Sequence, residues 1–561
     1  ILPYLLLTVV PFFRSVKFWK GYWIVAFSCI LILYSADVAF YAYLNTRLDA
    51  TIIGLAKNSA ISLNMLWESY PLFWGSVFLI SLIYIFGKSI LKIYHTVSAP
   101  ILSARRTVFF QFLSILVIIG IAYGKLSRYP FRWSDAFYST NHSANQLAIN
   151  PVLYFLNTYT RVDESFSLEK VQEFYPVMAE FLGVENPDKE TLNFSRQFSP
   201  KKEDNRQPNI VVIILETFPA FKCGLMGNPV HATPHFDAIA KESKFFSQFY
   251  VPKMSTAATI FSTLTGLPDM AVINKSSTRD PFAIDQDMFI NQLKGYRKHF
   301  FIGGSANWGD LNGFLKNNIE DIIIHEEGSY TMPETNAWGI SDYHLLQEMH
   351  ETLSIESPPF TAIALTAGHH RPYTIPQDIV GFDYEAYLPE FRNYGFGEDD
   401  FYAFTFMDFA VGEFITSAKS ADYFENTVFV IYGDHGSHGI HLNLTHGDLS
   451  LHPYHVPLAI YGPGLEIQPT RYNNVMSEID VFPTLFSLLN IPHRNASLGR
   501  DVLNQEMFIP SAFIFSASSQ NYALLTSSKY ILHSTTNRFQ LYDPLDFSAE
   551  PVQILPDTQT P

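Results

Sequence analysis

Two acidic residues and a histidine directly follow apolar runs of the sequence. Glu216 comes after NIVVIIL at residues 209–215, and Asp434 and His435 come after TVFVIYG at residues 427–433. In a parallel sheet, ligands bind at the carboxyl ends of the strands. A carboxylate leaving a buried strand is costly without a cation or donor, and an Asp-His pair offers an oxygen and an imidazole to one ion. The sequence therefore predicts one divalent metal at these residues. The alternative is that each acid caps the following helix, with His435 bonded to the backbone.

A further segment supplies a hydroxyl group. In PKMSTAATIFSTLTG at residues 252–266, Ser255 and Thr256 open a helical pattern that Gly266 closes. Backbone N–H groups at a helix N-terminus stabilise an anion, and a nearby metal lowers the pKa of a hydroxyl enough to make it a nucleophile. This placement suits phosphoryl transfer. A plain N-cap, with Ser255 or Thr256 bonded to an amide of the first turn, is an alternative that the pattern leaves open.

The elements that must position these residues are strands alternating with helices. After residue 209, the apolar runs IVVIIL, FTAIAL, TVFVIY and PLAIY alternate with helical patterns such as PHFDAIAKES. This alternation is typical of an α/β domain with a mostly parallel, buried central sheet.

The N-terminal part of the chain differs from the α/β part because it contains long apolar stretches. The chain of 561 residues is 48% hydrophobic and 16% aromatic, with a mean hydropathy of +0.07, which is apolar for a soluble protein of this size. Apolar stretches that match a membrane span in length occupy residues 21–43, 71–87 and 107–124, and residues 1–13 look like the end of a fourth. Because that first run is cut short and does not begin with methionine, we expect the chain to extend before Ile1.

Charge predicts the orientation of these spans. Residues 1–125 carry a net charge of +7 and the rest carry −23, which gives −16 for the chain. Cationic residues cluster at 14–20 and 88–106, which places these loops in the cytoplasm and everything after Lys125 outside it. The alternative is that the apolar helices are buried in a soluble core. The acidic outer part excludes nucleic acid as a partner, and Cys29 and Cys223 show no disulfide or metal-finger spacing.

Three regions follow from these patterns. We predict transmembrane helices over residues 1–125, a juxtamembrane helical linker over residues 126–208, and an extracytoplasmic α/β catalytic domain over residues 209–561.

Several stretches together resemble a known family. They are NIVVIILETF, ATPHFDAIAKES, STAATIFSTLTG, GGSANW, WGISD, LTAGHHRPYTIP, YGDHGSHG and YHVPLAIYGPG. Their order is similar to the sulfatase-like branch of the alkaline phosphatase superfamily, and in particular to lipoteichoic acid synthase and other phosphoglycerol transferases. The likeness covers residues 209–505, and the preceding apolar segments and WSDAFYSTNHSANQLAINP extend it over nearly the full chain.

The resemblance implies an alkaline-phosphatase/sulfatase-like fold and one divalent cation. Manganese is the expected ion, with Mg2+, Ca2+ or Zn2+ as alternatives. Thr256 is the implied nucleophile, and the implied ligands are Glu216, Thr256, Asp434 and His435.

The resemblance also places Trp308 and His370 against the substrate head group, with His370 assisting proton transfer. The plain alternatives are a packing aromatic and a structural histidine. His369 and Arg371 could take the same role as His370, and His455 is a further substrate-binding candidate. The arginine that the family carries shortly after the tryptophan is absent, because Gly309 and Asp310 stand there. An acidic residue a few positions earlier is replaced in the region of Gly303 and Gly304.

The function that the resemblance implies is transfer of a phosphoglycerol-type head group in a bacterial-type cell membrane. The donor would be a membrane lipid phosphodiester, the acceptor a glycan or lipid hydroxyl, and the intermediate a phosphothreonine. A sulfatase is one alternative, although the formylglycine pattern C/S-x-P-x-R is absent at Thr256-Ala-Ala-Thr-Ile. A phosphodiesterase or phosphatase of the same fold and an inactive, membrane-tethered binding protein are the others.

Overall fold

The computed structural model divides the chain into two compact units, residues 1–166 and residues 167–561. The predicted boundaries at residues 125 and 208 are a finer division and stay a prediction. The structure describes residues 16–44, 47–48, 72–96, 104–126, 129–136, 138, 142–159, 167–199, 206–271, 276–280, 283, 286–383, 394, 396–437, 451–465, 467–504, 509–516, 521–534, 538–543 and 553–556.

The described part of the first unit is helical. Its helices are α1 (Val16–Leu44), α2 (Leu72–Thr96), α3 (Ala104–Tyr123), α4 (His142–Ala148) and α5 (Pro151–Tyr159). Within the described residues, two segments are long and apolar enough to cross a membrane, Lys17–Tyr41 in α1 and Phe73–Thr96 in α2. The third predicted span contains a shorter apolar helix, Phe112–Tyr123. The predicted fourth stretch, residues 1–13, lies outside the described residues.

One charged group interrupts the first apolar helix, and its charge is compensated. Asp37 is 1% exposed and pairs with Arg47 at 3.0 Å. It also accepts the N–H of Leu48 at 2.8 Å. A buried carboxylate with a cation and a donor costs far less than an isolated one, so Asp37 is compatible with an apolar helix.

The second unit is built from alternating strands and helices. Its strands are β1 (Arg196–Phe198), β2 (Asn209–Leu215), β3 (Lys244–Tyr250), β4 (Arg297–Ile302), β5 (Ile322–His325), β6 (Phe360–Leu365), β7 (Thr427–Gly433), β8 (His455–Tyr461), β9 (Thr470–Tyr472), β10 (Met476–Ser477), β11 (His493–Asn495), β12 (Ser511–Ser516), β13 (Asn521–Thr526), β14 (Tyr530–Ser534), β15 (Arg538–Tyr542) and β16 (Gln553–Pro556). Its helices are α6 (Leu168–Leu182), α7 (Pro234–Lys241), α8 (Thr256–Thr265), α9 (Leu311–Asn318), α10 (Asp342–Ile355), α11 (Glu398–Ala418) and α12 (Val481–Leu488).

In the part of the chain that the structure describes, nine strands form the central sheet, in the order β10-β3-β8-β7-β2-β6-β4-β5, with β9 also paired to β3. Among these strands β8 alone runs antiparallel to its neighbours, β3 and β7. The mostly parallel α/β fold predicted from the sequence is therefore confirmed. A two-stranded sheet, β1-β11, and a five-stranded antiparallel sheet, β12 to β16, lie outside it.

Apolar side chains cover both faces of the central sheet. Alternate residues of β2 belong to two separate hydrophobic clusters, with Val212 on one face and Val211 on the other. Helices α8, α9 and α12 pack on the first face, and α7, α10 and α11 on the second. Burial on both faces explains why the central strands read as continuous apolar runs.

Candidate active site

The two acids predicted from strand ends leave the sheet side by side. Strands β2 and β7 are parallel neighbours, and their register pairs Leu215 with Gly433. The Asp434 N–H donates to the Leu215 carbonyl at 2.9 Å, and the Glu216 N–H donates to the Thr366 hydroxyl at 2.8 Å. Glu216 is 1% exposed and Asp434 is fully buried. Two buried carboxyl groups at one sheet edge require a cation or several donors.

Thr256 faces these acids from the N-terminus of α8. Its Oγ1 donates to Oε2 of Glu216 at 3.1 Å and lies 3.4 Å from Nε2 of His435. Ser255 is the N-cap residue, but its side chain makes no capping hydrogen bond. The hydroxyl of Thr256 thus points at the acidic cluster. Of the two roles that the sequence pattern left open, this position favours the nucleophile over the plain N-cap.

Helix α8 is fixed to strand β7 by its own threonines. Thr259 Oγ1 donates to the Asp434 carbonyl oxygen at 2.7 Å. Thr263 Oγ1 lies 2.6 Å from the Tyr432 hydroxyl and donates to Glu478 at 3.0 Å. These buried bonds hold the helix end that carries Thr256 at a fixed distance from Asp434.

Glu216, Asp434 and His435 can hold a metal ion. One ligand atom from each residue lies within 4.8 Å of the others. Nδ1 of His435 is 2.7 Å from the Gly436 carbonyl; because a carbonyl only accepts, Nδ1 is the donor and Nε2 is the ring nitrogen left to bind a cation. Within the described residues, Oδ2 of Asp434 accepts no hydrogen bond, although Nε2 of His435 lies 3.5 Å away. Two carboxylates and an imidazole with free lone pairs fit a divalent cation.

The pKa values of the two acids of the cluster shift in opposite directions. Burial, together with the charge of Glu216, raises the pKa of Asp434. Burial also opposes ionisation of Glu216, but the hydrogen bond and the charge of His370 outweigh it and lower the pKa of Glu216. His370 thus compensates the charge of Glu216, and Nε2 of His435, 3.5 Å from Oδ2 of Asp434, offsets part of the effect of burial on Asp434.

His370 borders the cluster, and a tryptophan that sequence reasoning did not single out holds it. Nε2 of His370 is 3.3 Å from Oε2 of Glu216. The ring of Trp338 stacks on His370 with centroids 4.0 Å apart and an angle of 15°. Trp338 Nε1 donates to the carbonyl oxygen of Arg371 at 2.9 Å, and Trp308 contacts Trp338 edge-on at 6.3 Å. The signal in the sequence was the stretch WGISD, which contains Trp338.

Of the remaining predicted residues, Arg371 is exposed and His455 is buried. Arg371 is exposed beside His370. His455 is 7% exposed, its Nε2 donates to the Ser247 carbonyl at 2.8 Å, and its ring stacks on Tyr250 at 4.7 Å. A buried ring with these partners fits a packing role, so we do not carry His455 into the proposed substrate site.

Comparisons with known proteins agree with this fold. A protein in the alkaline phosphatase superfamily from Vibrio parahaemolyticus is 25% identical, with a TM-score of 0.56 over 70% of this chain and 91% of that chain. Lipoteichoic acid synthase from Staphylococcus saprophyticus is 23% identical over 56% of this chain and 51% of that protein. Phosphoglycerol transferase I from Xanthomonas euvesicatoria is 26% identical over 38% of this chain and 30% of that protein. The chain thus spans about half the length of the first of these two relatives, and less of the second.

The fold and the acidic site define an enzyme of the alkaline phosphatase superfamily. The sequence model of the family described as Sulfatase matches residues 208–491, which is about half of the chain and contains all four residues of the candidate centre. The chain therefore belongs to the sulfatase family, and its curated relatives include lipoteichoic acid synthases and phosphoglycerol transferases.

Proposed function

We propose that this protein transfers a phosphoglycerol-type head group from a membrane phospholipid to a hydroxyl acceptor through a covalent intermediate on Thr256. One observation carries the proposal. The Thr256 hydroxyl stands at a helix N-terminus within 3.1 Å of Glu216 Oε2 and 3.4 Å of His435 Nε2, at the edge of the sheet where such enzymes bind ligands. The names of the relatives, which refer to lipoteichoic acid synthesis and phosphoglycerol transfer, support the choice of head group.

The residues proposed to hold the divalent cation are Glu216, Thr256, Asp434 and His435. The lone pairs of Asp434 Oδ2 and His435 Nε2 fit this role, as the geometry above indicates. The carboxylates and the hydroxyl favour a hard metal ion, and the imidazole favours a softer one. This mixed set of ligands suits Mn2+. A bound cation would lower the pKa of the Thr256 hydroxyl and stabilise negative charge on the phosphoryl oxygens.

In the first half-reaction, Thr256 Oγ1 forms a bond to phosphorus and the bond from phosphorus to the diacylglycerol oxygen breaks. The hydroxyl proton is passed to the leaving oxygen, so diacylglycerol departs as a neutral alcohol. His370 is the group proposed to carry this proton, because its Nε2 lies 3.3 Å from Glu216 Oε2, the oxygen that accepts the Thr256 hydrogen bond. The product on the protein is a phosphothreonine ester.

In the second half-reaction, a hydroxyl of a glycan or lipid attacks phosphorus and the bond to Thr256 Oγ1 breaks. His370 takes the proton of the acceptor and returns one to Thr256, which restores the starting state. Two displacements at phosphorus give overall retention of configuration. The mechanism therefore needs one nucleophile and one proton carrier, and the site offers one of each.

A lipid donor fits the N-terminal unit. The segments Lys17–Tyr41 and Phe73–Thr96 are long and apolar enough to cross a membrane. We propose that they are part of a multi-pass anchor, with the catalytic unit on the extracytoplasmic side of a bacterial-type cell membrane, as the cationic loops predict. An anchored enzyme and a lipid substrate share one surface, which favours their encounter.

Sulfate ester hydrolysis is the second candidate, since the family is described as Sulfatase. The common sulfatase mechanism requires a cysteine or serine that is converted to formylglycine. Threonine cannot give that aldehyde, and Ala258 and Ile260 stand where the pattern needs proline and arginine. These residues favour phosphoryl transfer.

Diacylglycerol release tests the proposed reaction. The full chain in detergent with Mn2+ should release fluorescent diacylglycerol from labelled phosphatidylglycerol, and EDTA should stop the release. Phosphatidylethanolamine and an aryl sulfate should react more slowly. Faster cleavage of the aryl sulfate would overturn phosphoryl transfer, and faster cleavage of phosphatidylethanolamine would reassign the head group.

Loss of the Trp338 ring should slow this reaction. The stack fixes the His370 ring, and aromatic stacking contributes about 0.5–1.5 kcal/mol, so Trp338→Leu should lower kcat/KM by roughly 3- to 10-fold. Trp338→Phe keeps a stacking ring and loses only the bond to the Arg371 carbonyl, and we expect it to retain most of the activity. Equal rates for wild type and Trp338→Leu would contradict this role for Trp338.

A further inference from the structure

Thr217 has a backbone conformation that its side chain disfavours. Its φ is +48°, in the left-handed region, where a β-branched residue crowds its own backbone. Thr217 follows Glu216 directly and sits where strand β2 has just ended. A conformation of this kind persists only where surrounding contacts enforce it, and it is typical of functional sites.

Both donors of Thr217 are used on the two acids of the candidate metal centre. Its Oγ1 donates to Oε1 of Glu216, and its N–H donates to Oδ1 of Asp434 at 2.7 Å. Each carboxylate therefore has one oxygen bonded to Thr217. The remaining oxygens lie towards the reaction centre: Glu216 Oε2 is 3.1 Å from Thr256 Oγ1, and Asp434 Oδ2 is 3.5 Å from His435 Nε2.

The carbonyl oxygen of Thr217 accepts a hydrogen bond from a histidine. Nδ1 of His369 donates to it at 3.0 Å. Nε2 of the same ring lies 2.6 Å from Oδ1 of Asp400, and the ring is 3% exposed. His369 is thus turned towards Thr217 and Asp400, whereas the neighbouring His370 is turned towards Glu216.

Asp400 is in turn fixed by a buried lysine. Nζ of Lys222 donates to both oxygens of Asp400 at 2.7 and 2.8 Å, and Lys222 is 1% exposed between the rings of Phe396 and Phe404. Burial alone would raise the pKa of Asp400, but the hydrogen bond from His369 and the charge of Lys222 outweigh it and lower the pKa. A buried charged cluster of this kind adds little net stability. We therefore attribute to it the role of holding His369 and Thr217 in place.

We propose that Thr217 is a positioning residue, held by His369, Asp400 and Lys222, that bonds to one oxygen of Glu216 and one of Asp434 and thereby turns the other oxygen of each towards the cation. This inference rests on the proposed metal centre and deepens it. Partners that fix ligand orientation commonly change metal affinity about 10- to 100-fold when they are removed.

Mn2+ binding without substrate tests the inference. Titration calorimetry on the full, metal-free chain in detergent would compare Thr217→Val with Thr217→Ser. Valine keeps the shape and the backbone preference of threonine and loses only the hydroxyl, so Mn2+ should bind roughly 10- to 100-fold more weakly. Serine keeps the hydroxyl and should bind within a few-fold of wild type. His369→Phe, which removes the donor to the Thr217 carbonyl, should weaken binding in the same direction.

The outcomes separate this inference from the metal centre itself. Mn2+ binding by wild type with unchanged affinity in Thr217→Val would overturn the positioning role alone. No Mn2+ binding by wild type would overturn the metal centre and the inference with it. Thermal unfolding of the metal-free variants checks that they fold. If the valine variant does not fold, Thr217→Ala is compared with Thr217→Ser in the same way.

Discussion

Replacing Thr256 by alanine should abolish head-group transfer. The substitution removes the only atom that can form the proposed bond to phosphorus, and loss of a nucleophile costs on the order of 10^4- to 10^6-fold in kcat. The metal ligands on the strands remain, so substrate should still bind. Diacylglycerol release under single-turnover conditions is the measurement, because it follows the first half-reaction directly.

Two companion variants make the result for Thr256 specific. Thr256→Ser keeps a hydroxyl at the same position and should retain measurable activity. Thr265→Ala removes a buried threonine at the other end of α8, whose hydroxyl bonds to the Phe261 carbonyl at 2.7 Å, and it should leave turnover within a few-fold of wild type. Wild-type activity in Thr256→Ala would refute the proposed nucleophile.

Asp434→Asn should have opposite effects on metal binding and on metal-free stability. The change removes the negative charge at Oδ2, a buried atom that accepts no hydrogen bond from the described residues, so Mn2+ affinity should fall by at least about 100-fold. Without metal, the buried charge of Asp434 destabilises the folded state. Removing an unsatisfied buried acceptor contributes about 1–3 kcal/mol, which raises the Tm by a few degrees.

Calorimetry with and without EDTA measures both expected effects, the fall in Mn2+ affinity and the rise in metal-free stability. Mn2+ should raise the Tm of wild type and raise the Tm of Asp434→Asn much less at the same concentration, since the shift depends on the ligand concentration relative to Kd. Asp480→Asn is the matched control: Asp480 is fully buried too, but it pairs with Arg500 at 3.3 Å, so its loss should lower stability and leave Mn2+ affinity unchanged. A metal-free Asp434→Asn protein less stable than wild type would contradict the interpretation of Oδ2.

The strand-end residues were predictable because they depend on local pattern. Continuous apolar runs predicted parallel strands, and the residue after each run had to lie at the carboxyl edge. Strands β2 and β7 are neighbours in register, so Glu216 and Asp434 meet as their positions in the sequence indicated. The role of Thr256 needed more information, because a capping hydroxyl and a nucleophilic one have the same sequence pattern.

The contacts that support the site could not be predicted from the sequence. The left-handed backbone of Thr217 comes from bonds to residues that are distant in the chain, such as His369 and Asp434. The stack of Trp338 on His370 likewise joins two separate loops. His455 was proposed for the substrate site from its position at the start of an apolar run, yet its bond to Ser247 gives it a packing environment. Such partners depend on tertiary structure, which hydropathy patterns do not encode.

Mass spectrometry of the protein trapped during turnover tests for the covalent intermediate on Thr256. Wild type would be mixed with phosphatidylglycerol and Mn2+ without an added acceptor, quenched in acid and digested with trypsin. We expect a phosphoglycerol adduct on the peptide that begins at Met254, located by fragmentation at Thr256 and absent from Thr256→Ala. Diacylglycerol release with no adduct on this peptide, or with an adduct on another residue, would contradict the covalent mechanism.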